Sequence, residues 1–335
     1  MLDATETFCL KLMENLIDRY IRENNAAMIY FHHGLNDWDY HLGSDTTLFK
    51  QEMKNLIMQI KNGTIVHVTK GLVVDVKGTQ LYPVEIEFKN VYFGYPNTDA
   101  EVLRDVSFRI SPGKSLAITG GTGSGKSTLA LLLMRFCDPT HGAVLVDGID
   151  LRIVSLGSYR RQTGFVPQEV FLFSESVADN VAFGLNVDGD DSGIRKKVET
   201  AADAACVSSD IQSFPEGYET MVGERGITLS GGQKQRISLA RALIRNPNLL
   251  VLDDCLSAVD TITEERILDS LERNLKGKTS VLISHRISTV MSADDILVLD
   301  QGRIVEHGTH AELMNTRGFY FEMFERQRIE DKLKG

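Results

Sequence analysis

Apolar residues recur at helical spacing twice near the start of the chain, at Leu12, Met13, Leu16, Ile17, Tyr20 and Ile21 and again at Leu48, Phe49, Met53, Leu56, Ile57 and Ile60. Steps of three and four place such residues on one face of an α-helix, so both stretches predict amphipathic helices, the second closing at Asn62-Gly63. Between them AAMIYF predicts a short strand, and TIVHVTKGLVVDVKG predicts β structure. All seven prolines lie at or after Pro83, and the pattern changes there. VEIEFKNVYFGY and LRDVSFRI alternate as half-buried strands do, while SLAIT, LLVLDD and SVLISH are short apolar runs of the kind buried on both faces of a sheet. Helical and strand patterns then alternate, which predicts an α/β fold from about residue 83, preceded by a small α/β-looking segment over 1–82.

Composition narrows the class. A chain of 335 residues with 42% apolar and 24% charged residues has ordinary soluble composition and is long enough for one large or two modest domains. Its net charge of −10, without a basic cluster, argues against nucleic acid as a partner. Four dispersed cysteines show no metal-ligand spacing and fit a reducing compartment. No apolar run approaches the roughly 18 to 20 residues needed to cross a bilayer. His32, His33, Asp37, Asp39 and His41 surround Trp38 without a standard ligand pattern, and read as a polar surface loop.

The stretch GGTGSGKST comprises Gly120, Gly121, Thr122, Gly123, Ser124, Gly125, Lys126, Ser127 and Thr128, between a predicted strand and the apolar run LALLLMRF. Glycines there let backbone N–H groups curl around phosphates at a helix N-terminus, Lys126 neutralises the terminal phosphates, and the Ser127 hydroxyl suits Mg²⁺. Downstream, LLVLDD ends in Asp253 and Asp254. Read alone that run is a strand meeting solvent; behind a phosphate loop it supplies a carboxylate for Mg²⁺ and a neighbour that positions the attacking water. Adjacent side chains on a strand point in different directions, so the two carboxylates should do different jobs.

LSGGQKQRISLARAL, beginning at Leu229, adds the motif that identifies a family. Over roughly Val84 to Arg326 the chain resembles the nucleotide-binding domain of ATP-binding-cassette (ABC) transporters, the exporter type most closely. The resemblance implies a P-loop core with an antiparallel β subdomain and an α-helical signature subdomain, spanning 83–326, with 327–335 as a tail. It implies that Tyr95 in FGYP stacks on adenine, that Gln168 in FVPQ reaches Mg²⁺ and senses membrane domains, and that Glu224 in VGERG belongs to an exporter-specific segment. Asp260, closing SAVD, matches the dimer-communication loop, and His285 in LISHR the histidine that contacts the γ-phosphate. Ser230, Gly231, Gly232 and Gln233 would face ATP bound by a second such domain, because two domains close head to tail around each nucleotide. ATP and Mg²⁺ are the implied ligands, with Ser127, Gln168 and Asp253 toward the metal.

Two departures from the family shape the functional expectation. Where exporters usually carry six membrane helices before the ATPase, this chain has about 80 residues of soluble character, so the implied transmembrane domains would come from another chain and the ATPase would sit at the cytoplasmic face of the membrane. A truncated half-exporter and a soluble ATP-gated clamp are the alternatives. The family's usual glutamate after the Mg²⁺-associated aspartate is here Asp254, one methylene shorter, which implies slow hydrolysis at this chain's own site and favours a heterodimer over a homodimer.

Overall fold

The computed structural model describes residues 84–96, 100–154, 156–183, 185, 193–223 and 228–334, together with three short strands before them. Those strands, β1 (Met28–Tyr30), β2 (Ile65–Thr69) and β3 (Leu72–Asp75), form one sheet, parallel between β1 and β2 and antiparallel between β2 and β3. They fall where AAMIYF and TIVHVTKGLVVDVKG predict β structure. Both helices predicted before Pro83, the histidine cluster at 32–41 and Glu224 lie outside the described residues. The chain divides into two compact units, residues 1–81 with 152–159, and residues 82–151 with 160–335. The second unit carries the motifs.

Within it, β5 (Glu101–Ile110), β4 (Ile86–Gly94), β7 (His141–Val146) and β8 (Ile149–Asp150) form an antiparallel sheet in that order. Ile86 and Phe88 are buried, and so are Val91 and Phe93, although a step of three residues should move a strand's side chains to the opposite face. A register shift between Phe88 and Val91 restores the face. Asn90 supplies the left-handed backbone it needs (φ 46°), and its N–H donates to Ser107 Oγ at 2.8 Å.

The second sheet runs β13 (Arg303–Gly308), β12 (Asp295–Asp300), β6 (Ser115–Gly120), β11 (Thr279–Ile283), β10 (Leu249–Asp253), β9 (Thr163–Val166), and is parallel apart from the β12–β13 pair. All five residues of β10 are buried, as a parallel strand covered on both faces requires. Helices used below are α1 (Lys126–Leu133), α2 (Val177–Ala182), α3 (Ile194–Ala204), α4 (Gly231–Leu243), α5 (Thr261–Asn274) and α6 (Phe319–Lys334). α2, α3 and α4 share a buried cluster that includes Val177, Val198 and Ile237 and continues into β10 through Leu250 and Leu252. This is the mixed α/β, P-loop arrangement with separate antiparallel and helical parts that the motifs imply. No helix among the described residues is long and apolar enough to cross a membrane.

Candidate functional site

Strands β6, β9, β10 and β11 are parallel, so the loops that leave their carboxyl ends gather at one edge of the sheet, where α/β folds bind ligands. The turn after β6 is the glycine-rich stretch. Gly120 has φ 144°, and a Cβ there would lie 2.0 Å from the Leu299 carbonyl oxygen; Gly125 has φ 104°, and its Cβ would meet Leu103 at 2.7 Å. Only glycine fits either place. No acidic side chain occupies the first turn of α1, so its N-terminal amides keep their positive field for an anion. Lys126 Nζ donates to Gly120 O at 3.0 Å and to Gly121 O at 2.8 Å. Burial lowers the Lys126 pKa, while the charges of Asp254 and Asp253 oppose that fall.

The two carboxylates differ in setting, although both line one cavity, because Asp254 lies past the end of β10, where strand alternation no longer applies. Asp253 closes β10 and accepts from Ser127 Oγ at 3.0 Å, which joins the start of α1 to the strand end. Burial raises its pKa and Asp254 pushes the same way, against Ser127, Lys126 and His285. Asp254 leaves the strand with φ 45°, its N–H donating to Ile283 O at 2.8 Å and its carbonyl accepting from Ser257 Oγ at 2.9 Å. A hydroxyl and one carboxylate are the sparse hard-oxygen set that Mg²⁺ uses when phosphates and waters complete its shell. Among the described residues no group of three or more His, Cys, Asp and Glu could form a different metal cage.

A cavity of about 300 Å³ opens here, walled by Tyr95, Lys126, Ser127, Gln168, Asp254 and His285 with Asp253 among them. Thr122, Gly123, Gly125 and Thr128 complete the loop side. Gly120 and Gly121 face an adjoining cavity, and Ser124 is buried beneath the turn with its Oγ 3.4 Å from Lys126 Nζ. Tyr95 is exposed, its hydroxyl 3.2 Å from Thr128 Oγ1 and its ring edge-on to Phe93 at 5.0 Å. Residues 168, 253, 254 and 285, far apart in sequence, are thus brought to the phosphate loop.

Ser230, Gly231, Gly232, Gln233 and Asp260 do not line that cavity. Ser230 caps α4 in a capping box: its Oγ accepts from Gln233 N at 3.2 Å while Gln233 Oε1 accepts from Ser230 N at 3.0 Å. Asp260 caps α5, accepting from Thr263 N at 3.0 Å, and that bond holds its carboxyl below the usual range. Sequence reasoning missed the residues that tie these pieces together. Gln235 Oε1 accepts from Ala258 N at 3.0 Å, and Arg286 donates to Ser257 O at 2.9 Å and Val259 O at 3.1 Å while pairing with buried Glu264. Gln235 sits inside the quoted LSGGQKQR stretch, yet a polar residue in a helical pattern gives no sign of the loop it will bind.

Fold and site together define a P-loop nucleotide-binding protein. A family model described as "ABC transporter" matches residues 103–257. The ATM1-type heavy metal exporter of Novosphingobium aromaticivorans is 44% identical over 245 residues, 73% of this chain and 39% of the relative. The ATP-dependent lipid A-core flippase of Aromatoleum aromaticum is also 44% identical, over 247 residues, 73% of this chain and 40% of the relative. A solved structure of a bacterial Atm1-family ABC exporter with ATP bound superposes with a TM-score of 0.69 at 41% identity, covering 84% of this chain and 47% of that one. The chain carries a domain of the ABC transporter family; two of these similar proteins are named as exporters and one as a flippase. It spans less than half the length of each of these relatives.

Proposed function

We propose that this chain is the ATP-binding subunit of an ABC exporter, binding and hydrolysing Mg·ATP at a head-to-tail interface with a second ABC ATPase domain. The observation that supports it most is the meeting of Tyr95, Lys126, Ser127, Gln168, Asp253, Asp254 and His285 around one cavity, with Ser230–Gln233 on a separate helix end. In this reading Tyr95 stacks on the adenine, and the loop amides of Gly121 to Thr128 with Lys126 hold the phosphates. Ser127, Asp253 and Gln168 hold Mg²⁺, which when bound withdraws charge from the phosphoryl group being transferred. Asp254 orients the attacking water, and His285 meets the terminal phosphate. Ser230, Gly231, Gly232, Gln233 and Asp260 face the nucleotide of the partner domain.

In this reading the domain works with transmembrane domains at the cytoplasmic face of a membrane. Their docking surface lies beyond Gln168, where Phe171 and Phe183 expose 68% and 54% of their area beside Phe173 and Arg241. Large apolar side chains exposed together mark an interaction site. Residues 83–326 form the ATPase domain in this reading, with 1–82 as a separable segment. Asp254 in place of the longer glutamate makes this chain the slow half of a heterodimer.

Calorimetry with Mg·ATP tests the binding half of the proposal. Wild-type chain should bind, and Lys126→Ala should show no detectable heat; undiminished affinity in Lys126→Ala refutes the assignment of the cavity.

A further inference from the structure

The helix α6 lies beside the phosphate loop and hydrogen-bonds the His285 segment through Gln327. Its first turn is fixed by Glu306, whose carboxylate accepts from Phe319 N at 2.8 Å and Tyr320 N at 2.7 Å. Tyr320 is fully buried with Ala117, Ile287, Val290 and Ile296, and its hydroxyl lies 2.8 Å from His310 Nδ1. Burial pushes its phenol pKa up to about 12. Phe324 packs on the same cluster, so the face of α6 that runs Tyr320, Phe324, Gln327 is turned toward the core.

Gln327 lands on the segment that carries His285. Its Nε2 donates to the His285 carbonyl, and its Oε1 accepts from Ile287 N at 2.8 Å. A side-chain amide offers a donor and an acceptor side by side, which is what a carbonyl and an N–H two residues apart require. Beside this contact lies a cavity of about 320 Å³, with Gly121, Thr122 and His285 on one wall and Met323 and Arg326 on the other. On that side the histidine segment has no packed neighbour over the phosphate loop, so the Gln327 bonds add to the anchoring that Ile287 and Val290 gain from the buried cluster and Arg286 from its carbonyl partners.

We infer that Gln327 is a positioning residue, anchored by the Tyr320 and Glu306 contacts, that holds the His285 imidazole at the reacting end of the nucleotide. The inference rests on the reading above that His285 meets the terminal phosphate. It gives the last helix a part in turnover, because both Gln327 bonds go to the segment that carries His285.

Gln327→Leu keeps the size of the side chain and removes both bonds, while Gln327→Glu keeps an acceptor for Ile287 N and loses the donor to His285 O. Hydrogen exchange of the nucleotide-free full chain should show the Ile287 amide of Gln327→Leu exchanging about tenfold faster, as loss of one hydrogen bond allows, and that of Gln327→Glu still protected. Turnover, measured in wild-type and Asp254→Glu chains, should fall about tenfold in both variants with the half-saturating Mg·ATP concentration unchanged, and Gln327→Leu should add nothing in a His285→Ala chain. Unaltered exchange at Ile287, or full turnover in Gln327→Leu where His285→Ala is impaired, overturns the inference alone. Full turnover in His285→Ala overturns the reading beneath it and the inference with it. If Gln327→Leu does not fold, Gln327→Glu decides: protection at Ile287 with unreduced turnover is the refuting result.

Discussion

Replacing Asp254 by glutamate should raise the ATPase rate of this chain by tenfold to a hundredfold. The Asp254 backbone cannot shift to compensate for a short side chain: its N–H is bonded to Ile283 O at 2.8 Å, its carbonyl to Ser257 Oγ at 2.9 Å, and it holds a left-handed φ of 45°. The carboxylate therefore stands where one methylene allows. A second methylene advances it by about 1.5 Å, one carbon–carbon bond. A misplacement of about 1 Å at a reacting group costs on the order of a hundredfold, which at 1.36 kcal/mol per tenfold is about 2.7 kcal/mol of barrier. The added group extends into the cavity that Asp254 already lines, so the overpacking cost of about 1 to 3 kcal/mol seen in filled cores does not apply. Phosphate release should be followed at saturating Mg·ATP, at a chain concentration where sedimentation shows dimer, with Lys126→Ala as the zero. A wild-type rate of several per second that Asp254→Glu leaves unaltered refutes both the short-carboxylate argument and the heterodimer preference built on it.

Other expectations follow from the same geometry. Tyr95→Ala should weaken ATP binding by about 1 to 3 kcal/mol, the usual worth of base–aromatic stacking, and unchanged affinity by calorimetry removes Tyr95 from the site. Burial, reinforced by Asp254, raises the Asp253 pKa in the folded state above its unfolded value, so the folded chain holds that proton more tightly. The stability this confers is present at low pH and lost as pH rises through the folded pKa. Asp253→Asn should therefore raise the nucleotide-free Tm at pH 7, with the gain shrinking as pH falls toward the ordinary carboxylate range, and a gain that grows on acidification contradicts the sign. A chain beginning at about residue 80 should stay soluble and bind ATP with wild-type affinity; aggregation places the early segment in the same core.

What was legible in the sequence was whatever has a local cause. Alternation over VSFRI, the doubly buried run LLVLD, and the glycines of the phosphate turn are each dictated by neighbours within a few residues and appear where expected, whereas Leu103 is buried three residues before Val106 and breaks the alternation predicted for LRDVSFRI. The bulge at Asn90 was not legible, since simple alternation from Ile86 places Val91 and Phe93 on the wrong face. Nor were Arg286 on Glu264 and Gln327 on His285, bonds that span 22 and 42 residues. Such contacts are made by topology, and polar side chains on surface-like patterns do not announce them. The pairing of Asp253 with Ser127 was reachable from the motifs only because both were assigned to one metal.

The caps bear on why a lone chain holds only half of each proposed site. Ser230 Oγ accepts from Gln233 N, and its O–H can donate at the positive end of α4. A phosphate accepts and does not donate, so the polarity left over suits a nucleotide brought by another domain. The same helix is bound to this chain's own carboxylate loop: Gln235 holds Ala258 N, Ser257 holds the Asp254 carbonyl, and Arg286 beside His285 holds Ser257 O and Val259 O. A Cβ on Gly232 would stand 2.9 Å from Ala258 O, so helix and loop already touch backbone to backbone. Helix end and carboxylate loop are thus joined by hydrogen bonds and backbone contact, so in the proposed head-to-tail dimer a shift of the face offered to a partner's nucleotide would act on the loop that carries Asp254.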